Sequence, residues 1–327
     1  MYLVTGGAGF IGSNLAAELA ARGESVVVCD WMGSDERWRN LAKHEIADVI
    51  APEELTGWLR QASRKLRAVL HMGAVSTTTE TDVDRIVRNN IRATFDLLEW
   101  CRESATPFIY ASSAATYGDG ESGFDDDFGV EPLARLRPLN AYGWSKHLVD
   151  RRVARLVEQG ASLPPQWVGL KFFNVYGPNE YHKGTMRSVV ARNFGSVRAG
   201  EPMRLFKSYR SQYADGGQLR DFIYVKDCVD VILWLLEHPK VSGLFNVGTG
   251  KARTWLDLAH ALLRACGREP AVEFVEMPPT LADKYQYFTQ ARMQRLRLAG
   301  YERAFTSLED GVSEYVQRYL ATADPYR

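Results

Sequence analysis

Val4-Thr5-Gly6-Gly7-Ala8-Gly9-Phe10-Ile11-Gly12 sets glycines three apart, at 6, 9 and 12, between a short apolar run and an amphipathic stretch that reaches about Ala21. The context is strand, turn, helix. Gly6 permits the tight turn, Gly9 lets backbone N–H groups approach a pyrophosphate, and Gly12 lets the helix pack closely on the strand. Those N–H groups and the positive end of the helix favour an anionic ligand. Asp30 ends a second, valine-rich strand at 25–29, where a carboxylate meets an adenosine ribose. Alone, Asp30 favours NAD, because a 2′-phosphate beside a carboxylate is repulsive. Arg37 and Arg39 follow soon afterwards. They could neutralise that phosphate or form a solvated surface.

Working outward, 68–71, 107–111 and 167–173 read as buried strands, and 84–103 and 141–158 as helices. Strands separated by helices of this length predict an α/β fold: a Rossmann-type parallel sheet with a smaller mixed α/β substrate domain. The glycine loop then lies at the carboxyl ends of the strands. Asp48 and Val49 close another strand–loop junction, placed to touch adenine. Gly73-Ala74-Val75-Ser76 could line the middle of the cofactor, or be a plain strand-to-helix turn. Further helices are predicted at 186–199, 225–236, 255–265 and 308–319, strands at 244–247 and 272–275, and a polar loop at 209–218. Residues 1–173 are expected to form an NADP-binding Rossmann domain, with later segments at about 220–250 contributing, and 174–327 mainly a substrate-binding domain.

The 327 residues are 46% hydrophobic and 24% charged, enough for a sizeable core and against disorder. Forty basic residues balance forty acidic ones, so a generally basic nucleic-acid binder is disfavoured. Cys29, Cys101, Cys228 and Cys266 are widely spaced, with neither a CxxC metal pattern nor a disulfide framework. No metal is expected. Buried thiols in a reducing compartment, no leader and no apolar run near twenty residues point to a cytoplasmic protein that engages neither membrane nor nucleic acid.

Tyr142 and Lys146 are four residues apart, on one face of the 141–158 helix. An ammonium beside the phenol is expected to stabilise phenolate and lower the tyrosine pKa, so that Tyr142 exchanges a proton with a substrate alcohol or ketone. Ser113, after the 107–111 strand, can donate to the reacting oxygen or cap a turn.

The glycine pattern, Ser113 and the Tyr142/Lys146 pair resemble those of the extended short-chain dehydrogenase/reductase superfamily. More narrowly, 4–14, 110–118, 172–184, 220–225, 245–250 and 285–290 are similar to the ADP-glyceromanno-heptose 6-epimerases, over nearly the whole chain. The segment His182-Lys183-Gly184 is among the more specific matches. The resemblance implies an NADP-dependent nucleotide-sugar epimerase, with NAD as the alternative coenzyme. It would interconvert ADP-D-glycero-D-manno-heptose and ADP-L-glycero-D-manno-heptose by transient oxidation and re-reduction at carbon 6, for lipopolysaccharide inner-core precursors. It also implies a homo-oligomer, a homopentamer being the form suggested.

Residue by residue, the resemblance makes Tyr142 and Lys183 the catalytic pair, with Ser113 beside them and Lys146 orienting cofactor and tyrosine. Lys183 would be the second base or a phosphate anchor. Cofactor contacts carried over are Gly6, Gly9, Phe10, Ile11, Gly12, Asp30, Trp31, Arg37, Asp48, Val49, Met72, Gly73, Ala74, Val75, Ser76, Asn89, Tyr142, Lys146, Val175 and Lys183. Substrate contacts are Ser113, Asn174, Thr185, Arg192, Phe206, Lys207, Ser208, Tyr209, Arg220 and Tyr285. The chain departs from the pattern at Trp31 (usually asparagine), Pro52 (lysine in some relatives) and Arg192 (more usually histidine), and in the longer 209–218 loop. Two rivals are weighed. Another nucleotide-sugar enzyme shares the core chemistry, but Ala114 and Ala115 after Ser113 cannot carry the proton transfers of a dehydratase. A non-catalytic dinucleotide sensor would tolerate loss of Tyr142 or Lys146, and both are present.

Overall fold

Residues 1–62, 66–278 and 286–327 are described by a computed structural model. The chain opens with β1 (Tyr2–Thr5), α1 (Phe10–Ala21), β2 (Val26–Cys29), β3 (Asp48–Ile50), α2 (Leu55–Ala62) and β4 (Ala68–His71). Next come α3 (Val83–Ile86), a π turn (Val87–Arg92), α4 (Ala93–Glu103), β5 (Phe108–Ser113), α5 (Val130–Arg135), α6 (Ala141–Glu158) and β6 (Trp167–Phe172). The second half supplies β7 (Asn174–Tyr176), α7 (Val189–Ala199), β8 (Met203–Phe206), β9 (Leu219–Tyr224), α8 (Val225–Glu237), β10 (Gly243–Val247), β11 (Ala252–Thr254), α9 (Trp255–Ala265) and β12 (Val272–Val275).

Seven strands form one parallel sheet in the order β10-β6-β5-β4-β1-β2-β3. Its inner strands are apolar on both faces, because helices cover both. Leu3, Val27 and Val69 share one core with Leu97 and Val153, whereas Val4, Val28 and Leu70 share another with Leu15 and Val229. Alternate residues of each strand thus enter opposite layers, as the period of two requires. The chain runs outward from β1 through β2 to β3, then returns to β4 on the other side of β1. That reversal leaves a crevice beyond the carboxyl ends of β1 and β4, the usual ligand position in such sheets.

A smaller mixed unit holds β11-β9-β7 and the β12-β8 pair. Its core joins Val190, Val197, Leu205, Phe222, Leu262 and Val312. The helix expected at 186–199 begins only at Val189, where Ser188 caps it, after Gly184 turns the chain at φ +54°. The one expected at 308–319 is α-helical over Leu308–Tyr315 and then widens into a π turn, Val316–Leu320. The stretch 209–218 lacks helix and strand, as expected. Cys29, Cys101 and Cys228 are buried free thiols and Cys266 is half-buried. Among the described residues no helix is long and apolar enough to cross a membrane, and no group of three His, Cys, Asp or Glu side chains could hold a metal.

Candidate active site

The glycine loop shows why each glycine stands where it does. Gly6 has φ +65°, and a Cβ there would lie 2.5 Å from the Cα of Gly73, so the loops after β1 and β4 touch backbone to backbone. A Cβ on Gly12 would meet the Gly6 carbonyl oxygen at 2.1 Å. Gly9 is the N-cap of α1 and offers no side chain to the first-turn N–H groups, which leaves them for an anion. Phe10 is buried and Ile11 half-buried. Asp30 accepts from the Ala8 N–H at 3.0 Å, which ties the end of β2 to the loop, and burial raises its pKa. This cradle fits a dinucleotide.

The expected 2′-phosphate site is not built. Arg37 is chelated by Asp35, with Nη2 at 2.8 Å and Nε at 3.0 Å, and its Nη1 lies 4.0 Å from Asp30. Its charge is already answered by two carboxylates. Arg39 pairs with Glu36 at 2.9 Å and stacks on Tyr326. Trp31 is exposed and donates to Glu53 at 2.8 Å. Asp48 and Val49 are exposed on β3, at the sheet's edge.

Beyond β4, the Met72 N–H bonds the Thr5 carbonyl, and Gly73 follows with Ala74, Val75 and Ser76. Asn89 sends its amide back to the Arg85 carbonyl at 2.9 Å. The organising residue is its neighbour Asn90, which the sequence reading missed. Fully buried, it accepts from the Val75 N–H at 2.8 Å and donates to the Val75 carbonyl and Ser145 Oγ, both at 3.0 Å. Asn90 thereby fastens the β4 loop to α6. The signal was available, since 90 follows buried Ile86 by four residues. The π turn over Val87–Arg92 carries it, a local widening common at functional sites.

Ser113 ends β5, accepts from the Ala115 N–H at 3.1 Å, and hydrogen-bonds the Tyr142 phenol. Asn140 caps α6 through the Gly143 N–H at 2.8 Å, which presents Tyr142 and Lys146 one turn apart on the same face. The expected lowering of the Tyr142 pKa is corrected. Burial raises it, and the opposing pull comes from the Ser113 hydrogen bond, not from Lys146. The ammonium is the group that yields: burial pulls Lys146 down to about 8, opposed by Asp150.

Lys183 lies in a short 3-10 segment, Tyr181–Met186, with Nζ 5.0 Å from the centre of the Phe10 ring at the start of α1. Burial lowers its pKa, and Glu180 opposes the shift. The segment before it is firmly anchored. Asn14 donates to the Pro178 carbonyl at 2.9 Å, Asn179 to Ser13 Oγ at 3.1 Å, and Asn40 to the Ala8 carbonyl at 2.8 Å and the Asn179 carbonyl at 3.3 Å. Buried Glu180 accepts from the Ser188 hydroxyl at 2.6 Å and the Tyr315 phenol at 3.1 Å.

The remaining expected substrate residues are spread over the smaller unit. Asn174 and Val175 begin β7, and Asn174 accepts from Thr289 at 3.5 Å. Thr185 and Arg192 are exposed. Phe206 ends β8; Lys207 pairs with Glu276 at 2.6 Å, and the Tyr209 phenol donates to the same carboxylate. Ser208 receives Asp215 on its N–H at 2.7 Å. Arg220 is buried, donates to the Leu219 carbonyl at 2.8 Å and to the Gln286 carbonyl, and lies over Trp255. Asp221 accepts from Thr249, Gly250 and Ala291. Tyr285 lies outside the described residues.

Residues 2–248 match the model of the NAD dependent epimerase/dehydratase family. The chain is 51% identical to the ADP-L-glycero-D-manno-heptose-6-epimerase of Nitratidesulfovibrio vulgaris over 332 residues, with 100% of both chains covered. It superposes on the Helicobacter pylori ADP-L-glycero-D-manno-heptose-6-epimerase with a TM-score of 0.78 at 28% identity, covering 97% of this chain and 95% of that one. The Thermus thermophilus UDP-glucose 4-epimerase, solved with NAD, superposes with a TM-score of 0.71 at 26% identity, covering 95% and 96%. Bacillus cereus UDP-glucuronic acid 4-epimerase is likewise solved with NAD. The expectation of NADP is therefore corrected: the Thermus thermophilus and Bacillus cereus structures hold NAD, and Arg37 is engaged by Asp35 and Asp30. From the glycine cradle to the anchored Lys183 segment, the chain belongs to the NAD dependent epimerase/dehydratase family and, within it, to the ADP-L-glycero-D-manno-heptose-6-epimerases.

Proposed function

We propose that the protein inverts carbon 6 of an ADP-linked heptose, interconverting ADP-D-glycero-D-manno-heptose and ADP-L-glycero-D-manno-heptose, with NAD as its dinucleotide. The product is a lipopolysaccharide inner-core precursor. The observation that carries the reading is 51% identity to the N. vulgaris epimerase across the full length of both chains. The Ser113–Tyr142–Lys146 group, with Lys146 buried, and Lys183 on a separate segment support it.

A carbinol C–H is not acidic, so inversion there needs more than a base. When bound, the dinucleotide supplies reversible hydride transfer. The chain supplies the rest. Asp30 would meet the adenosine ribose, the first turn of α1 would receive the pyrophosphate, and Lys146 would hold the nicotinamide ribose and Tyr142. Ser113 donates to the sugar oxygen, and Tyr142 exchanges its proton in one orientation of the sugar. Lys183, its ammonium weakened by burial, does so in the other. Arg220 serves the diphosphate, and its guanidinium stays charged throughout. On this reading residues 1–173 with β10 bind the dinucleotide, most of 174–327 binds the sugar nucleotide, and the working form is a homo-oligomer.

The test is incubation of the purified protein with each ADP-heptose epimer, with products resolved by stereochemistry-sensitive NMR. Interconversion from either side is expected. Failure with both epimers, in protein shown to hold NAD, would refute the reading.

A further inference from the structure

Behind the Ser113–Tyr142–Lys146 group lies an ion pair with both side chains wholly buried: Lys171 Nζ is 3.0 Å from Asp150 Oδ2. Ser112 on β5 donates to the same carboxylate at 2.7 Å, and the Tyr110 phenol does so at 3.1 Å. Lys171 also donates to Thr116 Oγ1 at 2.6 Å and lies over the Tyr117 ring, 4.6 Å from its centre. Thr116 in turn donates to the Ser113 carbonyl at 2.9 Å. One unbroken chain of polar contacts therefore runs from α6 through β6 to the peptide of Ser113. Asp150 follows Lys146 by one helical turn, as Lys146 follows Tyr142.

A buried ion pair is weak evidence for stability, because taking both charges out of water costs about what their attraction returns. Its place suggests a different use. We propose that Asp150 and Lys171 form a positioning unit for the reaction: through Thr116 the pair fixes Ser113 against α6, and Asp150, one helical turn beyond Lys146, supplies its fixed counter-charge. The inference rests on the reading of Tyr142, Lys146 and Ser113 given above.

The groups facing this turn come from four elements. His71 on β4 is neutral, held between Thr5 at 2.6 Å and Thr94 at 2.9 Å, and its pKa is pushed down to about 3 by burial and by Lys146. Tyr110 on β5 is held neutral by burial and by Asp150. Lys171 stands on β6, and Tyr142 and His147 share α6 with Lys146; burial pulls His147 to about 4. The carboxylate of Asp150 is the one negative charge in this set. It is also the one influence that raises the Lys146 pKa, which burial otherwise brings to about 8.

The test compares holoenzyme variants by the pH profile of heptose interconversion. Asp150→Asn with Lys171→Met removes both charges and leaves neither orphaned. We expect KM to stay within about threefold, the plateau kcat to fall about tenfold from looser positioning, and the alkaline limb to move to lower pH by about one unit as Lys146 loses its counter-charge. Thr116→Val removes the two hydrogen bonds that join Lys171 to Ser113 and keeps the Asp150–Lys171 pair; it should lower kcat by a similar factor and leave the limb where it was. An unmoved limb in the folded double variant, or parental kcat in Thr116→Val, overturns the proposal. Should the double variant fail to fold, Thr116→Val decides alone, a lower kcat at unchanged KM supporting the positioning role. Tyr142→Phe measured in parallel separates the two levels. If it is inactive while the limb is unmoved, only this inference falls; if it is fully active, the reading of the site falls.

Discussion

Gly12→Ala and Gly9→Ala add the same methyl group three residues apart and should fail in different ways. At Gly12 the new Cβ would lie 2.1 Å from the Gly6 carbonyl oxygen and 2.8 Å from its carbon. Neither neighbour is a side chain that could swing aside, so α1 must retreat from the loop by about 1 Å to reach ordinary contact. Overpacking of that kind costs about 1–3 kcal/mol, which lowers the melting temperature by a few degrees or more in a chain of this size. The same retreat carries the first-turn N–H groups away from the pyrophosphate, and misplacement of that order costs about 10²-fold. At Gly9 the nearest protein atom would be the Gly6 oxygen at 3.1 Å, which a small adjustment accommodates. The Gly9 methyl should instead meet the ligand. Thermal melts of the dinucleotide-free proteins, with calorimetric titration of NAD, separate the cases. Gly12→Ala should lose both stability and NAD affinity, and Gly9→Ala affinity alone. Gly12→Ala melting with the parent, or Gly9→Ala destabilised as strongly as Gly12→Ala, would refute the division of labour between the two glycines.

Tyr142→Phe removes the hydroxyl that bonds Ser113; turnover should fall about 10²–10⁴-fold with NAD still bound, and near-normal turnover would remove Tyr142 from the chemistry. Lys183→Met keeps the apolar stem while deleting the ammonium that lies over Phe10, so kcat should drop far more than substrate affinity, and equal losses in calorimetry and turnover would recast Lys183 as a phosphate anchor. His71 has its folded pKa depressed from 6.5 to about 3, so its contribution to stability is present above pH 6.5 and is lost as pH falls towards 3. His71→Gln should accordingly flatten the decline in melting temperature between neutral and acidic pH, and an unchanged slope would show that His71 does not set it.

Legibility followed burial. β1, β4, α6 and α9 stand where the sequence placed them, because two-sided burial writes continuous apolar runs and amphipathic helices write a 3.6-residue period. β9 escaped notice: Leu219–Tyr224 carries Arg220 and Asp221 inside, and their partners are backbone groups near Thr249 and Gln286 that no local pattern reveals. β7, β8 and β11 are short and only partly buried, so no continuous apolar run marks them. In the site, the glycines and the Tyr142/Lys146 spacing were legible because one backbone turn or one helical turn dictates them. Arg37 was misread because its fate depended on Asp35, two residues away, folding back to chelate it. Asn90, Asp150 and Lys171 were missed since their meaning lies in contacts 15 to 55 positions distant in sequence, and a polar residue on an apolar face carries no label of its partner.

The segment that carries Lys183 is stitched to the dinucleotide loop and α1 on its N-terminal side, through Asn14 and the Pro178 carbonyl, Asn179 and Ser13, and Asn40, which bridges the Ala8 and Asn179 carbonyls. A side chain mounted on that frame cannot follow a turning sugar. On the proposed function, the cavity then works like a lathe with fixed tools and a moving workpiece: Tyr142 and Lys183 keep their stations, and the oxidised heptose rotates between them about its tether to the ADP. Stereochemistry would be set by where the tether is clamped, so lengthening or loosening that clamp should make the enzyme a poorer inverter before it makes it a poorer oxidant.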